Sequence, residues 1–380
     1  MDKAGLVIYY YLNANIRARF KNMQNEDNKT ATLYESADRA HVIIPIMLFL
    51  SLFFNISALI APFYTAKVFL KSPFTFTLPH SVLLMWDHHF FFIALLIFSF
   101  SIVFPFLKLI TLFYIWFVCR NANKRARLIT RVGPLGKWSM LDIFVTIILM
   151  VLTNDRFLIT SSLKIGVYFF LLAIFLSMTC ALRIEILMFA QGVKSFAHKR
   201  LFIQSIDNVS YARRIAVFVL LMLSLTALLL AIHIPVIKTR DFLFADSEYS
   251  VLTMVPALWD ASKILTFFVF FTLILCPLLH VLGLMIMWIG RLKPKSSYRI
   301  ERFLHIISIF NMLDVFCLAL FIFMTEGGEL IMTEAKGGLY LLLIFLFCAY
   351  LIPVFIKGTH KNYLQYIKQP VKTVFGYPAQ

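Results

Sequence analysis

The stretch Ser139-Met-Leu-Asp142-Ile-Phe144 recurs 172 residues later as Asn311-Met-Leu-Asp314-Val-Phe316. Self-similarity at one fixed lag is the sequence signature of an internal repeat. Four further matches follow at lags of 172 or 173 residues: Pro105-Phe-Leu-Lys108 with Pro277-Leu-Leu-His280, Trp86-Asp87 with Trp259-Asp260, Pro62 with Pro235, and Tyr168 with Tyr340. The chain therefore contains two tandem copies of one unit.

The repeated unit is embedded in apolar sequence. Of the 380 residues, 61% are hydrophobic and only 14% are charged, whereas a soluble domain is nearer half apolar and a quarter charged. The apolar runs are about 20 residues long, which is enough to cross a hydrocarbon core roughly 30 Å thick. We expect an all-α polytopic membrane protein with four spans in each copy, an even number that keeps the two four-helix repeats parallel. The predicted spans are 42–62, 89–119, 139–154, 165–187, 214–236, 262–290, 312–325 and 338–356.

Basic residues predict the orientation of these spans. Of the 36 Lys and Arg, 27 lie on the side that carries both termini, and an excess of basic residues marks the cytoplasmic side. This indicates cytoplasmic termini, and it accounts for the net charge of +17 without nucleic-acid binding. The predicted organisation is an amphipathic N-terminal segment (1–41), a first membrane domain (42–187), a basic linker (188–213), a second membrane domain (214–356) and a cytoplasmic tail (357–380).

One lysine lies deep inside a predicted span. Lys108 is 12 residues from Arg120 at the cytoplasmic end, about 18 Å along a helix, which exceeds the reach of a lysine side chain. A charge at the bilayer centre costs about 2.5–3.5 kcal/mol. Lys108 could hold an anionic headgroup or relay charge, or it could bond the carbonyl that Pro105 leaves without a helical donor. His280, its counterpart after Pro277, could titrate near neutrality or stay neutral.

Asp142 and Asp314 are acidic residues that we place inside spans, close to their starts. Ser139-x-x-Asp142 and Asn311-x-x-Asp314 resemble helix starts, with a capping residue followed three positions later by an acid. Capping alone could explain both. Alternatively, Asp142 pairs with Lys108 and Asp314 with His280, which would neutralise each charge within the membrane.

The remaining polar candidates lie near span ends. Trp86 and Trp259 have the amphipathic character of interfacial aromatics. Asp87 and Asp260 follow them directly and are interpreted as acids at the N-termini of the next helices, or else as functional residues. The five cysteines are separated in sequence, so the pattern predicts no disulfide, no metal site and no cofactor. No nucleophile or phosphate-loop motif indicates an enzyme.

Two motifs carry a resemblance to a known family. They are Ser101-Ile-Val-Phe-Pro105-Phe-Leu-Lys108 and Gly136-Lys-Trp138-Ser-Met-Leu-Asp142-Ile-Phe-Val145. With them the chain resembles two tandem domains of the PqiA/LetA family, covering about 42–187 and 214–356. The second copy diverges, since His280 replaces the lysine and Phe310-Asn311 replaces Trp-Ser. Members such as LetA carry cytoplasmic zinc ribbons with C-x-x-C pairs, but 1–41 and 188–213 contain no cysteine.

The resemblance implies a Gram-negative inner-membrane protein that works with an MCE-domain protein, whose periplasmic tunnel carries lipids between the inner and outer membranes. The membrane subunit would load or unload lipid at the base of the tunnel. Pro105, Lys108, Ser139 and Asp142 match the motif positions. Two other functions remain open: an ion- or proton-coupled small-solute carrier that uses Lys108, His280 and the two aspartates as a relay, and a scaffold for a periplasmic partner.

Overall fold

The computed structural model describes residues 32–36, 40–68, 74–154, 159–190, 211–239, 247–290, 294–326 and 333–357. Most of the predicted N-terminal segment, linker and tail therefore lies outside the described residues. Within the described part of the chain, eight helices are long and apolar enough to cross a membrane: Val42–Ile60, Ala94–Val118, Ala122–Leu152, Ile165–Met188, Tyr211–His233, Lys263–Ile289, Arg302–Thr325 and Gly337–Phe355. The prediction of an all-α polytopic membrane protein with eight spans is confirmed.

The first copy alternates membrane helices with short strands. Its second span is interrupted by two π-helical stretches, in which each N–H bonds the carbonyl five residues back. The elements are α1 (Leu33–Ser36), α2 (Ala40–Ile60), β1 (Tyr64–Val68), β2 (Phe74–Phe76), α3 (Leu78–Asp87), α4 (Phe91–Ile97), π1 (Phe98–Val103), α5 (Phe104–Phe113), π2 (Tyr114–Val118), α6 (Ala122–Trp138), α7 (Leu141–Asn154), β3 (Ile159–Leu163) and α8 (Ile165–Ala190).

The second copy repeats this order from its first span onward, except that its described residues contain no counterpart of π2. Its elements are α9 (Tyr211–His233), β4 (Ile237–Thr239), β5 (Ser247–Tyr249), α10 (Val251–Trp259), α11 (Lys263–Val269), π3 (Phe270–Leu275), α12 (Cys276–Ile289), α13 (Pro294–Phe310), α14 (Leu313–Glu326), β6 (Thr333–Ala335) and α15 (Gly337–Lys357). The two tandem repeats predicted from the 172-residue lag are therefore present in the folded chain.

The third span of each copy is a broken helix. Residues 139–140 interrupt the helical path between α6 and α7, and residues 311–312 interrupt it between α13 and α14. The predicted third spans, 139–154 and 312–325, correspond to the second halves, α7 and α14. These predicted spans are short for a membrane span. The basic residues of the first halves, α6 and α13, lower the mean hydropathy there, so the apolar pattern begins only at the second halves.

Short strands, which the sequence analysis did not predict, form a small sheet in each copy. β1 pairs antiparallel with β2, with Tyr64 opposite Phe76, and the strand order is β2-β1-β3. In the second copy Ile237 lies opposite both Tyr249 and Ala335, which gives the order β5-β4-β6. Strands of three to five residues give too little alternation of polar and apolar residues to be recognised beside long apolar spans.

Two glycines allow the last helix of each copy to start against the end of the first. The Gly166 N–H donates to the Pro62 carbonyl and the Gly338 N–H to the Pro235 carbonyl, both at 2.9 Å. A Cβ on Gly166 would lie 2.7 Å from the Pro62 oxygen. The backbones come this close only because glycine has no side chain. Pro62 and Pro235 therefore occupy equivalent positions in the two copies.

The chain divides into two compact units. Unit 1 comprises Met1–Ala66, Ser72–Ile143 and Leu163–Lys199. In it α2 packs along α8, and α6 packs against α5 and α8. Its core includes Leu33 of α1, and the other members come from α2, α5, π2, α6 and α8. Among them, Trp116 is fully buried.

Unit 2 comprises Lys67–Lys71, Phe144–Ser162 and Arg200–Gln380. In it α9 packs along α15, and α12 packs against α13. Most of α7 also belongs to this unit. There the Phe144 ring lies 6.0 Å from that of Phe268 and 5.8 Å from that of Phe316. Phe144 and Phe316 are equivalent positions of the two copies, so the contact joins repeat counterparts.

Candidate functional site

A π-helical turn precedes the proline in the second span of each copy. The Phe104 N–H donates to the Ser99 carbonyl, five residues back, and the Cys276 N–H donates likewise to the Phe271 carbonyl. Proline lacks an N–H, so an α-helical register would leave the carbonyl four residues before it without a donor. Single π-helical turns are frequent at functional sites. Pro105 and Pro277 thus mark an equivalent irregularity in both copies.

Lys108 follows this irregularity in the first copy. Its side chain is 2% exposed. Its Nζ lies 2.6 Å from the position that a Cβ on Gly136 would occupy, and Met178 Cγ lies 3.3 Å from that position. Cys180 is within electrostatic range of the ammonium group. Helices α5, α6 and α8 therefore enclose the lysine, close to the C-terminal end of α6.

The ammonium group of Lys108 has no hydrogen-bond or ion-pair partner among the described residues. The pairing with Asp142 that the sequence left open is therefore absent from the structure. Lys108 lies against Gly136, near the end of α6, where the unpaired carbonyls of a helix C-terminus carry partial negative charge. The broken third span thus places a helix C-terminus beside a buried cation.

Asp142 lies in the first turn of α7, on the other side of the break. It is 7% exposed. The nearby Ser101 hydroxyl stabilises its carboxylate. Ser139 is buried in the break itself. An acid in the first turn complements the positive end of the helix dipole, which agrees with the predicted helix start.

The second copy arranges the same positions differently. Asn311 Oδ1 accepts a hydrogen bond of 3.4 Å from the Leu313 N–H, at the start of α14. Asp314 accepts hydrogen bonds from the Val315 N–H at 3.0 Å and from the Tyr350 hydroxyl at 3.4 Å. His280 is only half-buried. Since His280 is the counterpart of Lys108, the described part of the second copy has no equivalent of the enclosed lysine.

The tryptophan–aspartate pairs lie at helix ends. Trp86 and Trp259 are each 54% exposed, as expected for interfacial aromatics. The interpretation of Asp87 and Asp260 as N-terminal helix acids is wrong. Asp87 is the last residue of α3, and Asp260 directly follows the end of α10. The cap of α11 is instead Ser262, whose side chain accepts a hydrogen bond from the Leu265 N–H.

Sequence reasoning located Lys108, Asp142, Ser139 and Pro105 but assigned no role to the residues around them. Gly136 was visible only as part of a motif, and Ser101 only as the residue whose carbonyl the proline leaves unpaired. Their roles depend on contacts between different helices, which no local pattern encodes. Together these residues can hold an anionic group or change the charge of the site within the membrane.

The fold and the site define a class: a multi-pass membrane protein built from two tandem repeats, each with a π-interrupted second span and a broken third span. The family model described as "Paraquat-inducible protein A" matches residues 44–189 and 216–357. The chain belongs to this PqiA family, with one family domain in each copy. Searches of curated proteins and of solved structures returned no match to the chain.

Proposed function

We propose that this protein is the inner-membrane subunit of an MCE-type lipid transport system that moves phospholipids between the inner and outer membranes and supports envelope integrity. Its partner would be a periplasmic MCE-domain tunnel protein. In this proposal the protein acts without enzymatic chemistry and holds both termini in the cytoplasm. Membership of the PqiA family and the eight spans support the membrane role, and the distribution of basic residues supports the orientation.

The observation that carries the proposal is the enclosed Lys108. An ionisable side chain buried among membrane helices is costly and is retained where it has a function. Discontinuous helices place their charged ends at the substrate or ion sites of membrane transporters. Here one ammonium group follows a π-helical turn and a proline on its own span and lies against the end of α6. An unpaired cation at this position could receive the phosphate of a phospholipid.

The test compares two lysines that differ in their surroundings. Lys108 is enclosed, whereas Lys263 begins α11 with an exposed side chain, its ammonium 5.8 Å from the centre of the Trp259 ring. Each is changed to methionine, which keeps the side-chain length and removes the charge. Replacing a buried, uncompensated charge by an apolar side chain is compatible with folding. The variants are reconstituted with the MCE partner, and transfer of labelled phospholipid from donor to acceptor vesicles is measured.

We expect Lys108→Met to reduce the transfer rate by at least about tenfold, a loss of roughly 1.4 kcal/mol in transition-state stabilisation, while Lys263→Met transfers at the wild-type rate. Full transfer by both variants with partner binding intact would favour a scaffold. Transport of small solutes that depends on an imposed pH gradient and is lost in Lys108→Met, without such an effect on lipids, would favour a coupled carrier. Failure to co-purify with an MCE protein, together with an intact outer membrane after gene deletion, would refute the proposal.

A further inference from the structure

Helix α6 carries a row of exposed basic side chains, which we call the basic stripe: Lys124, Arg127 and Arg131. Their spacing of three and four residues places them on one face of the helix. The opposite face is anchored, since Ala126, Ile129 and Val132 are buried in the core of unit 1. The stripe is therefore held in a fixed orientation by a packed helix.

The N-terminal end of the stripe is also ordered by hydrogen bonds. Asn121 caps α6, with its Oδ1 accepting from the N–H groups of Asn123 at 3.0 Å and Lys124 at 3.2 Å. The Lys124 ammonium donates to the Tyr114 hydroxyl at 2.9 Å and lies 5.2 Å from the centre of that ring. An aromatic hydroxyl does not neutralise a cation, so Lys124 keeps its full charge.

Among the described residues, the stripe lacks acidic partners. The sequence contains no Asp or Glu between Asp87 and Asp142. In the part of the chain that the structure describes, Arg127 and Arg131 form no ion pair. Three uncompensated positive charges on one rigid face form a local anion-binding surface.

The second copy differs from the first at the positions of the stripe. The positions 172 residues further on are Ser296, Arg299 and Phe303, and the equivalent helix α13 also contains Glu301. One basic residue is retained at these positions, and the other basic residues of α13 are Lys295 and Arg302. Orientation in the membrane requires basic residues in a loop but no particular face of a helix. What distinguishes the first copy is thus a basic face on a helix that contains no acidic residue.

The position of the stripe identifies its ligand. An exposed Lys or Arg facing hydrocarbon would cost about 2.5–3.5 kcal/mol, so this face of α6 lies outside the hydrocarbon. It begins at Lys124, close to the membrane surface, because the second span ends at Val118. The stripe extends about 10 Å along the helix from Lys124 to Arg131. At that depth the available anions are the phosphates of acidic lipids, which attract basic residues next to membrane spans. We propose that the basic stripe binds the headgroups of anionic glycerophospholipids, independently of any transport function.

The proposal is tested on the full chain with two triple variants of equal charge change. One removes the stripe (Lys124→Gln, Arg127→Gln, Arg131→Gln), and the control removes three basic residues of unit 2 (Arg213→Gln, Arg214→Gln, Arg302→Gln). Each purified protein is delipidated and titrated with nanodiscs or vesicles of phosphatidylcholine that contain phosphatidylglycerol, contain cardiolipin, or contain no acidic lipid. Bound lipid is quantified by mass spectrometry, and thermal melting confirms folding.

We expect affinity for both acidic lipids to fall about fivefold for each stripe residue removed, from about 1 kcal/mol per basic side chain at a membrane surface. The control variant should bind as the wild type, and binding to phosphatidylcholine should not change. If the stripe variant does not fold, Arg131→Gln alone provides the same comparison. Equal losses in the two triple variants, or equal binding of wild type to neutral and acidic lipid, would overturn the proposal.

Discussion

Replacing Gly136 by alanine tests the arrangement around Lys108. The added Cβ would lie 2.6 Å from Lys108 Nζ and 3.3 Å from Met178 Cγ. Carbon contacts are favourable at about 3.5–4.0 Å, so the ammonium group would have to retreat by roughly 1 Å. Since Lys108 is buried on all sides, the displaced atom has little free space to enter. The substitution therefore moves the cation without altering its charge.

The size of the effect follows from two opposing terms. Alanine in place of glycine within a helix stabilises by about 0.5–1 kcal/mol, whereas an extra methyl group in a packed interior costs about 1–3 kcal/mol. Gly133 lies in the same helix with nothing within 4 Å of its Cβ position. Gly133→Ala should therefore show only the stabilisation from replacing a helical glycine. We expect Gly136→Ala to be about 1–3 kcal/mol less stable than Gly133→Ala.

The assay measures the free energy of unfolding in mixed micelles by detergent titration, and phospholipid transfer in reconstituted vesicles. Lipid transfer should fall in Gly136→Ala and persist in Gly133→Ala. Truncating the lysine should relieve the overlap, so Gly136→Ala and Lys108→Ala should show a coupling free energy of about 0.5–3 kcal/mol in a double-mutant cycle. Equal stability and equal transfer in the two alanine variants, or strict additivity in the cycle, would refute the placement of Lys108 against Gly136.

Two further predictions concern stability. A Cβ on Gly338 would overlap the backbone carbonyl oxygen of Ile234, which cannot rotate away, so Gly338→Ala should destabilise by about 3 kcal/mol. The Cβ of the neighbouring control, Gly337→Ala, would lie 3.7 Å from a side-chain methyl of the same isoleucine, so unfolding should be unchanged; equal behaviour of the two variants would contradict the close backbone approach. Ser250 caps α10 through a reciprocal capping box, and Ser250→Ala should cost about 0.5–2 kcal/mol in thermal or detergent unfolding. Thr77 occupies the same position before α3 without a side-chain cap bond, so Thr77→Ala is the matched control, and a loss as large as that of Ser250→Ala would argue against the capping role.

The irregular second spans and the helix starts in the third spans could be predicted because both recur in the two copies. The lag between Pro105 and Pro277 located the irregular second spans, because a proline inside an apolar run has one main structural consequence. The same lag placed the helix starts at Asp142 and Asp314, since capping patterns are local.

The error at Asp87 has a local cause. A Trp-Asp pair before a long apolar run fits either the end of one helix or the start of the next. The structure ends α3 at Asp87 and begins α4 only at Phe91. Between them His89 adopts φ 66°, in the left-handed region that L-residues seldom occupy. No pattern in the sequence marks a histidine for that conformation, so the helix boundary could not be predicted there.

The sequence by itself determined the membrane environment, the eight spans and the two copies, because span length and repeat lag are properties of the chain order alone. Only the tertiary structure decided that Lys108 lies against Gly136, 28 positions further on, and that Asp142 does not pair with it. It also decided that Phe144 packs on its repeat counterpart Phe316 in unit 2. Such contacts depend on which helix faces meet. Because apolar membrane spans have nearly uniform faces, the pattern of residues does not predict the contacting face, which is determined by packing between the helices.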